Sequence, residues 1–450
     1  MLARGQAPGQ QLERPVAGRR GEASVGASGG GPPVGEERLM AQVVQRGNLL
    51  AALRRVKRNG GSPGLDGMTV EELPGSLREP WPTIRAALLA GTYRPQPVKR
   101  VESPKPGGGV RQLGVPTVLD RFIQQALRQG LQPEWDKTFS DGSDGFRPGR
   151  SAHQAIARAQ RYVGEGYSWV VDLDLETCFD RVNHEKLMSL VKARGADRRG
   201  LQRIDRDLKA GALTDEGLEA TVEGTPQGGP VSPLLAHRLL DGLARELARR
   251  GHRFVRDADD GNIYVKSARA GQRVLASVPR FWARRLTRAV KAAKRGVDRP
   301  WRRTCLGLTF TGHRPNRRRV SEKALKACKQ EVRRKTSRTR GVALARVVGD
   351  LWRHLDGWYA YFSFAEAPSV FKELDSWIRR RLRCYLWKQW GRRRYRALRR
   401  RGVSRDLAWN TVKSAHGPWR LSRSPALAIA LPGSSFDGLG LPRLSRGSHR

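Results

Sequence analysis

The chain has few cysteines for its length and no long apolar run. Its 450 residues include four cysteines, which are widely spaced and form no Cys-x-x-Cys pair: Cys178, Cys305, Cys328 and Cys384. This spacing argues against a zinc ribbon and is typical of a protein in a reducing cytosol. No segment stays apolar for about eighteen residues, and the N-terminus has no hydrophobic signal core. We therefore expect neither a membrane-spanning nor a secreted protein.

Acidic residues are also scarce. The chain has 42 Asp and Glu against 86 Lys and Arg, which gives a formal net charge of +44. Such an excess is costly in self-repulsion unless a polyanion neutralises it. The composition therefore predicts a cytoplasmic protein that binds nucleic acid.

The chain begins with a segment of different character from the rest. Residues 1–37 are rich in Gly, Pro, Ala and Arg and read as a disordered leader. Helical spacing of apolar residues predicts a helix over Leu39–Val56. A hairpin is predicted around Ser103–Pro116, followed by a helix over Asp120–Leu131. Arg314–Arg319 has the composition of a linker, and helical patterns separated by Gly and Pro follow it.

Three aspartates stand at predicted strand ends. Asp259 and Asp260 lie in Phe254–Val265, which reads as two short strands joined by a tight turn with an Asp-Gly step. Asp174 ends the apolar run Trp169–Asp174, which predicts a buried strand. Carboxylates presented together attract hard divalent cations, and two such cations can assist phosphoryl transfer. An isolated Asp-Asp pair would indicate only a polar turn.

The C-terminal third combines arginine runs with tryptophans. Arginine binds phosphates and stacks on bases, and aromatic rings provide platforms for unpaired bases. The alternative is that the tryptophans form a helical core and the arginines a solvated face. The basic runs and the aromatic residues between them are Arg379–Arg381, Arg392–Arg394, Arg399–Arg401, Trp377, Trp387, Trp390, Tyr395, Trp409 and Trp419.

Several blocks follow one another along the chain in a characteristic order: Val110–Arg121, Gly145–Ser151, Asp174–Asp180, Gly224–Pro233, Ala258–Asp260, Leu306–Leu308 and Trp419–Pro425. These ordered blocks resemble the reverse transcriptases encoded by bacterial group II introns, most closely the subgroup, often called class C, that ends without an endonuclease domain. The resemblance covers roughly Leu39–Leu441.

The resemblance implies an α+β fold of the right-hand polymerase type. Fingers with an N-terminal helical extension would occupy residues 38–150, and a palm with an antiparallel sheet would occupy 151–312. An α-helical thumb and maturase domain that binds RNA would occupy 313–450. The implied function is an RNA-directed DNA polymerase that copies intron RNA and assists its splicing and mobility.

The resemblance also assigns the catalytic residues. Asp174, Asp259 and Asp260 would form the catalytic triad, and two Mg²⁺ ions would bind these carboxylates and the backbone carbonyl of Leu175. A residue-level alternative makes Asp174 a helix cap after a strand. The implied partners are group II intron RNA, a DNA target or primer, and deoxynucleoside triphosphates.

Further residues match the nucleotide site and the RNA-binding region of the family. Lys105 and Arg111 would contact the triphosphate, Phe179 would exclude a ribose 2′-hydroxyl, and Gln227 and Lys294 would contact the nucleotide or the leaving pyrophosphate. The residue-level alternatives are a solvated basic hairpin, core packing of Phe179 and a charged helix around Lys294. The implied RNA-binding residues are Arg379, Arg380, Arg392, Arg393 and Arg420.

Four positions depart from the family pattern. Asp144, Asp207 and Asp257 stand where relatives tend to carry tyrosine, and His237 stands where asparagine is expected. Three separate losses of an aromatic residue suggest a weakened polymerase, and an RNA-binding splicing cofactor with an inactive polymerase domain is the second hypothesis. A third is a related reverse transcriptase outside introns, against which the long Arg- and Trp-rich C-terminal region counts. Phe179 argues against an RNA-directed RNA polymerase.

Overall fold

The computed structural model describes residues 38–104, 110–174, 182–194, 197–221, 223–225, 228–286 and 296–445. The predicted leader and five site residues lie outside these ranges: Lys105, Leu175, Phe179, Gln227 and Lys294. For Arg111 and Asp174 only the backbone is described. The chain divides into two compact units, the first built from residues up to 158 with 169–297 and the second from 159–168 with residues from 298 onward.

The first unit mixes helices and strands. Its helices are α1 (Arg38–Val43), α2 (Arg46–Asn59), α3 (Leu73–Ser76), α4 (Trp81–Ala90), α5 (Val118–Asp136), α6 (Ala152–Gly164, which runs on into the second unit), α7 (His184–Lys192), α8 (Arg198–Leu208), α9 (Ser232–Arg249) and α10 (Ala268–Leu286). Its strands are β1 (Val98–Pro104), β2 (Val110–Val115), β3 (Trp169–Asp174), β4 (Ala212–Thr214), β5 (Gly217–Glu219), β6 (Arg253–Asp257), β7 (Asp260–Val265) and β8 (Gly296–Asp298).

The second unit is mainly helical. One short hairpin of β9 (Leu308–Phe310) and β10 (Arg318–Val320) precedes its helices. These are α11 (Glu322–Lys335), α12 (Leu344–Phe362), α13 (Pro368–Gln389), α14 (Arg394–Arg399), α15 (Arg405–Lys413), α16 (Pro418–Leu421), α17 (Pro425–Ala430) and α18 (Gly433–Asp437), with a 3₁₀ turn at Gly391–Arg393.

Two four-stranded sheets organise the first unit. One has the order β2-β1-β4-β5, in which β1 and β2 form the predicted antiparallel hairpin and β4 runs parallel to β1. The other has the order β6-β7-β3-β8, in which β6 and β3 both run antiparallel to β7. The predicted α+β class, with an antiparallel sheet followed by a helical domain, is confirmed.

Side-chain caps mark where several helices begin. Thr117 at the start of α5 accepts a hydrogen bond from the backbone N–H of Asp120, and Asn183, Asp197 and Ser321 cap α7, α8 and α11 in the same way. A cap satisfies one of the backbone donors that have no partner in the first turn. These caps explain why the helices begin at these residues.

Two local predictions were wrong in detail. The single helix predicted over Leu39–Val56 is two helices. The helical conformation is interrupted at Gln45, where the backbone is extended, and the Asn48 side chain donates a hydrogen bond to the Val43 carbonyl, 2.9 Å away. The predicted linker Arg314–Arg319 partly forms β10, which pairs with β9. In both places a long-range or side-chain hydrogen bond decides the backbone conformation.

The main hydrophobic core of the first unit gathers residues from distant segments. Its buried members run from Met40 to Leu239 and include Phe122, Leu187 and Ile204. A second cluster packs α9 and α10 on the β6-β7-β3-β8 sheet. The predicted boundary between fingers and palm at residue 150 therefore falls inside this unit. None of the described helices is long and apolar enough to cross a membrane.

A buried ionic cluster joins α5 to α8. The Arg203 guanidinium lies 2.9 Å from an Asp120 carboxylate oxygen and 3.1 Å from an Asp207 oxygen. Asp207 also accepts a hydrogen bond from the Gln124 amide at 2.9 Å. Burial, together with the negative charge of the neighbouring Asp120, raises the pKa of Asp207 to about 6. One guanidinium therefore serves two acids.

This cluster predicts a pH dependence of stability. Because the pKa of Asp207 is raised from its ordinary 3.8 to about 6, the folded state binds this proton more tightly than the unfolded state. The stabilisation is fully present below pH 3.8 and is lost as the pH rises through 6, on the order of 3 kcal/mol in all. We expect Asp207→Asn to raise the melting temperature at pH 7.5 and to flatten its dependence between pH 5 and 7.

Asp120→Asn is the matched control for that measurement. The Asp120 carboxylate accepts hydrogen bonds from Thr117, from the backbone N–H of Gln96 and from Arg203. An amide in its place would set an N–H against these donors, so this variant should lower the melting temperature throughout that pH range. Equal destabilisation by the two variants would contradict the assignment of the surplus charge to Asp207.

Candidate active site

The register of β3 against β7 places the candidate catalytic residues on one corner of a sheet. Asp174, the last residue of β3, is the Cα partner of Asp260, the first residue of β7. Paired Cα atoms in an antiparallel ladder lie about 4.5–5.5 Å apart. Asp259 directly precedes Asp260 in the turn between β6 and β7. The backbone therefore brings together the three positions that the sequence singled out.

The turn differs from the one predicted from the Asp-Gly step. Asp257 pairs with Asp260, so the two turn residues are Ala258 and Asp259, and Gly261 lies inside β7. Ala258 has a φ of 56°, in the left-handed region. A residue with a Cβ atom in that region costs about 1–2 kcal/mol, and such strain persists only where neighbouring contacts hold the backbone. Strand alternation, which would have put Asp257 and Asp259 on one face, does not continue through this turn.

The strained turn is held from behind by Arg256. This arginine is 3% exposed, and its Nη1 donates to the Ala258 carbonyl at 2.9 Å. Its Nη2 lies 3.1 Å from Nε2 of His237. Sequence reasoning missed Arg256; an arginine directly after the apolar pair Phe254-Val255 was the available signal.

A second segment packs on the outer edge of β6. The backbone N–H of Arg256 donates to the Gly142 carbonyl at 2.8 Å, and that of Asp144 donates to the Arg256 carbonyl at 2.9 Å. Gly145 lies so close to the turn that a Cβ atom there would be 2.2 Å from an Asp257 oxygen and 2.3 Å from the Ala258 nitrogen. Only glycine permits this approach.

Three of the four departures from the family pattern meet in this cluster. Asp144 and Asp257 flank Gly145 and Arg256, and His237 contacts the Arg256 guanidinium. Asp144 is fully buried and paired with Arg158 at 2.9 Å. The fourth, Asp207, belongs to the separate cluster with Arg203. Positions 144 and 257, where the family pattern has tyrosine, are therefore neighbours in the structure.

The Asp257 carboxyl directly precedes the two turn residues. Burial and the charges of Asp144 and Asp259, opposed by the Arg256 guanidinium, together raise its pKa to about 6. At neutral pH Asp257 is therefore mostly ionised.

Of the residues predicted to contact the nucleotide, only the backbone of Arg111 and the residues on either side of Gln227 are described. Arg111 pairs with Ser103 across the β1–β2 hairpin. His184, which the sequence did not single out, lies with Nε2 2.7 Å from the Gly224 carbonyl, just before the loop that contains Gln227. At the end of that loop a Cβ atom on Gly228 would be 2.4 Å from the Gly114 carbonyl oxygen. Gly224 and Gly228, the described residues near Gln227 on either side, therefore both lie against other segments of the protein.

The five arginines predicted to bind RNA divide into two groups. Arg379 pairs with Asp375 and Asp437, and Arg380 stacks 3.7 Å above the Trp419 ring and donates to the Trp419 carbonyl. Arg392, Arg393 and Arg420 are exposed, and among the described residues their side chains form no hydrogen bond or ion pair. The tryptophans divide similarly, since Trp387 is fully buried whereas Trp409 is 50% exposed.

The donor set suits a hard divalent cation. Among the described side chains, which do not include that of Asp174, no group of three or more His, Cys, Asp or Glu is arranged as a metal site. The backbone register nevertheless gathers three carboxylate-bearing positions, and carboxylate oxygens are the ligands that Mg²⁺ prefers.

Family models match two parts of the chain. "Reverse transcriptase (RNA-dependent DNA polymerase)" matches residues 103–310, and "Group II intron, maturase-specific domain" matches residues 325–402. Reverse transcriptase domains generally use divalent metal ions.

Curated relatives match part of the chain. Protein YkfC of Escherichia coli K12 is 37% identical over 226 residues, which are 49% of this chain and 59% of that protein. The group II intron-encoded protein LtrA of Lactococcus lactis is 37% identical over 195 residues, 43% of this chain and 32% of that protein. The chain therefore spans less than two thirds of either relative.

A solved structure, "Partial Cas6-RT-Cas1--Cas2 complex", has a TM-score of 0.36 and 24% identity over 56% of this chain and 43% of that chain. At that TM-score it adds nothing to the assignment, which the two family models carry. The two matches identify a reverse transcriptase domain followed by a group II intron maturase-specific domain, consistent with a bacterial group II intron reverse transcriptase and maturase in which a right-hand polymerase fold precedes a helical domain.

Proposed function

We propose that this protein is an RNA-directed DNA polymerase that copies group II intron RNA into cDNA and also binds that RNA to assist splicing and mobility. The observation that carries the polymerase assignment is the pairing of Asp174 with Asp260 beside the Asp259 turn. Two distant segments of the chain bring carboxylate-bearing positions to one corner of the sheet, which supports a metal-assisted phosphoryl transfer.

In this proposal Asp174, Asp259 and Asp260, with the backbone carbonyl of Leu175, hold two Mg²⁺ ions. Bound there, the ions would lower the pKa of the primer 3′-hydroxyl and neutralise charge that develops on the phosphate. The protein contributes the rigid placement of the carboxylates, since β3, β7 and the Arg256 contact fix the backbone that bears them.

The nucleotide and RNA sites are proposed from the family pattern. Lys105 and Arg111 would bind the triphosphate, Phe179 would select deoxynucleotides, and Gln227 and Lys294 would contact the nucleotide. For intron RNA we propose Arg392, Arg393 and Arg420, because they are exposed and form no ion pair with the described residues. Arg379 and Arg380 instead stabilise the second unit through the contacts described above.

The second candidate is an RNA-binding splicing cofactor with an impaired polymerase. It is favoured by Asp257, a mostly ionised carboxylate beside the turn that bears Asp259. Extra negative charge there would compete with the metal ligands or displace an ion.

Asp259→Ala tests the polymerase. Removing a carboxylate from the corner should lower cDNA synthesis on an RNA template with Mg²⁺ by about 10²–10³-fold, while intron RNA binding and splicing remain. Asp215→Ala is the matched control, because Asp215 also lies in a two-residue β-turn, between β4 and β5. Wild-type protein that splices but makes no cDNA would establish the second candidate.

Asp257→Tyr separates the two candidates in a primer-extension assay. We expect a rate equal to or below that of the wild type, because Asp257, Asp144 and His237 surround Arg256 together, and a lone tyrosine would meet Gly145 where the carboxylate now lies. A rate above the wild type would mean that Asp257 impairs catalysis.

Replacing Arg392, Arg393 and Arg420 together by alanine tests the RNA surface. Each lost phosphate contact should reduce the slope of log K against log salt by about 0.7–0.9, so the triple variant should bind intron RNA more weakly at low salt and depend less on salt. Arg379→Ala is the control, since it should lower the melting temperature and leave that slope unchanged. An unchanged slope in the triple variant would refute this surface.

A further inference from the structure

The turn that bears Asp259 has two supports besides the strand pairing of its hairpin, one from a side chain of β6 and one from a separate segment. On one side, the Arg256 guanidinium donates to the Ala258 carbonyl at 2.9 Å. On the other, Gly145 lies against the Ala258 nitrogen without room for a Cβ atom. Ala258 has the left-handed backbone conformation that such supports must maintain. The position of the Asp259 backbone therefore depends on groups that do not themselves reach a substrate.

The Arg256 side chain is locked by its own partners. It is almost fully buried, and its second terminal nitrogen lies 3.1 Å from Nε2 of His237. Burial, together with the positive charges of Arg256 and Arg147, lowers the pKa of His237 to about 2, so its ring is neutral and Nε2 accepts the hydrogen bond. The ring in turn packs on Phe139, with centroids 4.3 Å apart.

The charges around this guanidinium are also fixed. The nearby acids are Asp144, Asp241 and Asp257, and the nearby cation is Arg147. Asp144 is paired with Arg158 and Asp241 with Arg245, whereas Asp257 directly follows Arg256 in the strand. A planar fork that donates to two partners at once is a property of arginine that lysine lacks.

From these contacts we infer that Arg256 is a positioning residue for the metal-binding corner: by holding the Ala258 carbonyl, and being held by His237, it sets where the Asp259 carboxylate meets a divalent cation. This inference rests on the proposed function. Groups behind metal ligands typically affect metal affinity or activity by about 10–100-fold.

The test compares Arg256→Lys with Arg238→Lys. Arg238 is a buried arginine of the same unit that donates to the Leu190 carbonyl in α7. Binding of Mn²⁺ to the full chain, followed by electron paramagnetic resonance, is measured beside primer extension over a range of Mg²⁺. Asp259→Ala should abolish Mn²⁺ binding, and Arg256→Lys should weaken it by about tenfold. Arg256→Lys should also raise the Mg²⁺ concentration needed for half-maximal synthesis and lower kcat, with a nearly unchanged KM for the nucleotide.

Two further variants probe the same turn from other sides. His237→Phe keeps a ring against Phe139 and removes the acceptor, and Gly145→Ala pushes on the turn from outside; both should weaken Mn²⁺ binding in the same direction. Melting temperatures and RNA affinity are measured for each variant, so that unfolding is recognised.

The outcomes separate this inference from the proposed function. If Arg256→Lys and Arg238→Lys bind Mn²⁺ with equal affinity, the positioning role is overturned. The same holds if the wild type shows no saturable Mn²⁺ binding, or if Asp259→Ala does not remove that binding. If Arg256→Lys fails to fold, His237→Phe and Gly145→Ala decide the matter by the same measurement. A wild type that binds Mn²⁺ as expected but makes no cDNA refutes the polymerase function and leaves the positioning role standing.

Discussion

The candidate active site depends on the register of β3 against β7. With Asp174 opposite Asp260, the end of one strand and the start of the next meet at one corner. A slip of one residue would turn the side chains of β3 to the opposite faces of the sheet. The buried residues Val171, Leu173 and Ile263 oppose such a slip, because they pack against α9 and α10 only in this register. Hydrophobic packing thus sets the position of charged groups that it does not touch.

Behind that corner the protein buries charge in small, separate groups. Arg256 is balanced near Asp257 and Asp144, and Arg203 is shared by Asp120 and Asp207. A buried charge without a partner is strongly destabilising, so each such group has to be satisfied as a unit. Three of the positions that differ from the family pattern, 144, 237 and 257, lie in the group around Arg256, whereas Asp207 lies in the group around Arg203.

The basic residues of the chain fall into two groups. Some arginines, such as Arg147, Arg256 and Arg379, are bound to carboxylates or carbonyls inside the protein. Others, such as Arg392 and Arg420, are exposed, and phosphate contacts of this kind would account for salt-dependent RNA affinity. Counting basic residues predicts the class of partner, but burial and ion pairing decide which of them remain available to it.

Local patterns in the sequence were sufficient for the α+β class, the strand ending in Asp174, the β1–β2 hairpin and the helical character of the second unit, because periodicity and turn residues act over a few neighbours. They also identified the family by its ordered blocks. They did not reveal that the turn comprises Ala258 and Asp259, that β4 joins β1, that Arg379 is bound to Asp375 and Asp437, or that Arg256, His237 and Gly145 converge behind the turn. Except for the turn itself and the Arg379–Asp375 pair, these features join residues about twenty to more than a hundred positions apart. Only the tertiary structure could decide them, because the packing of the cores determines which distant groups become neighbours.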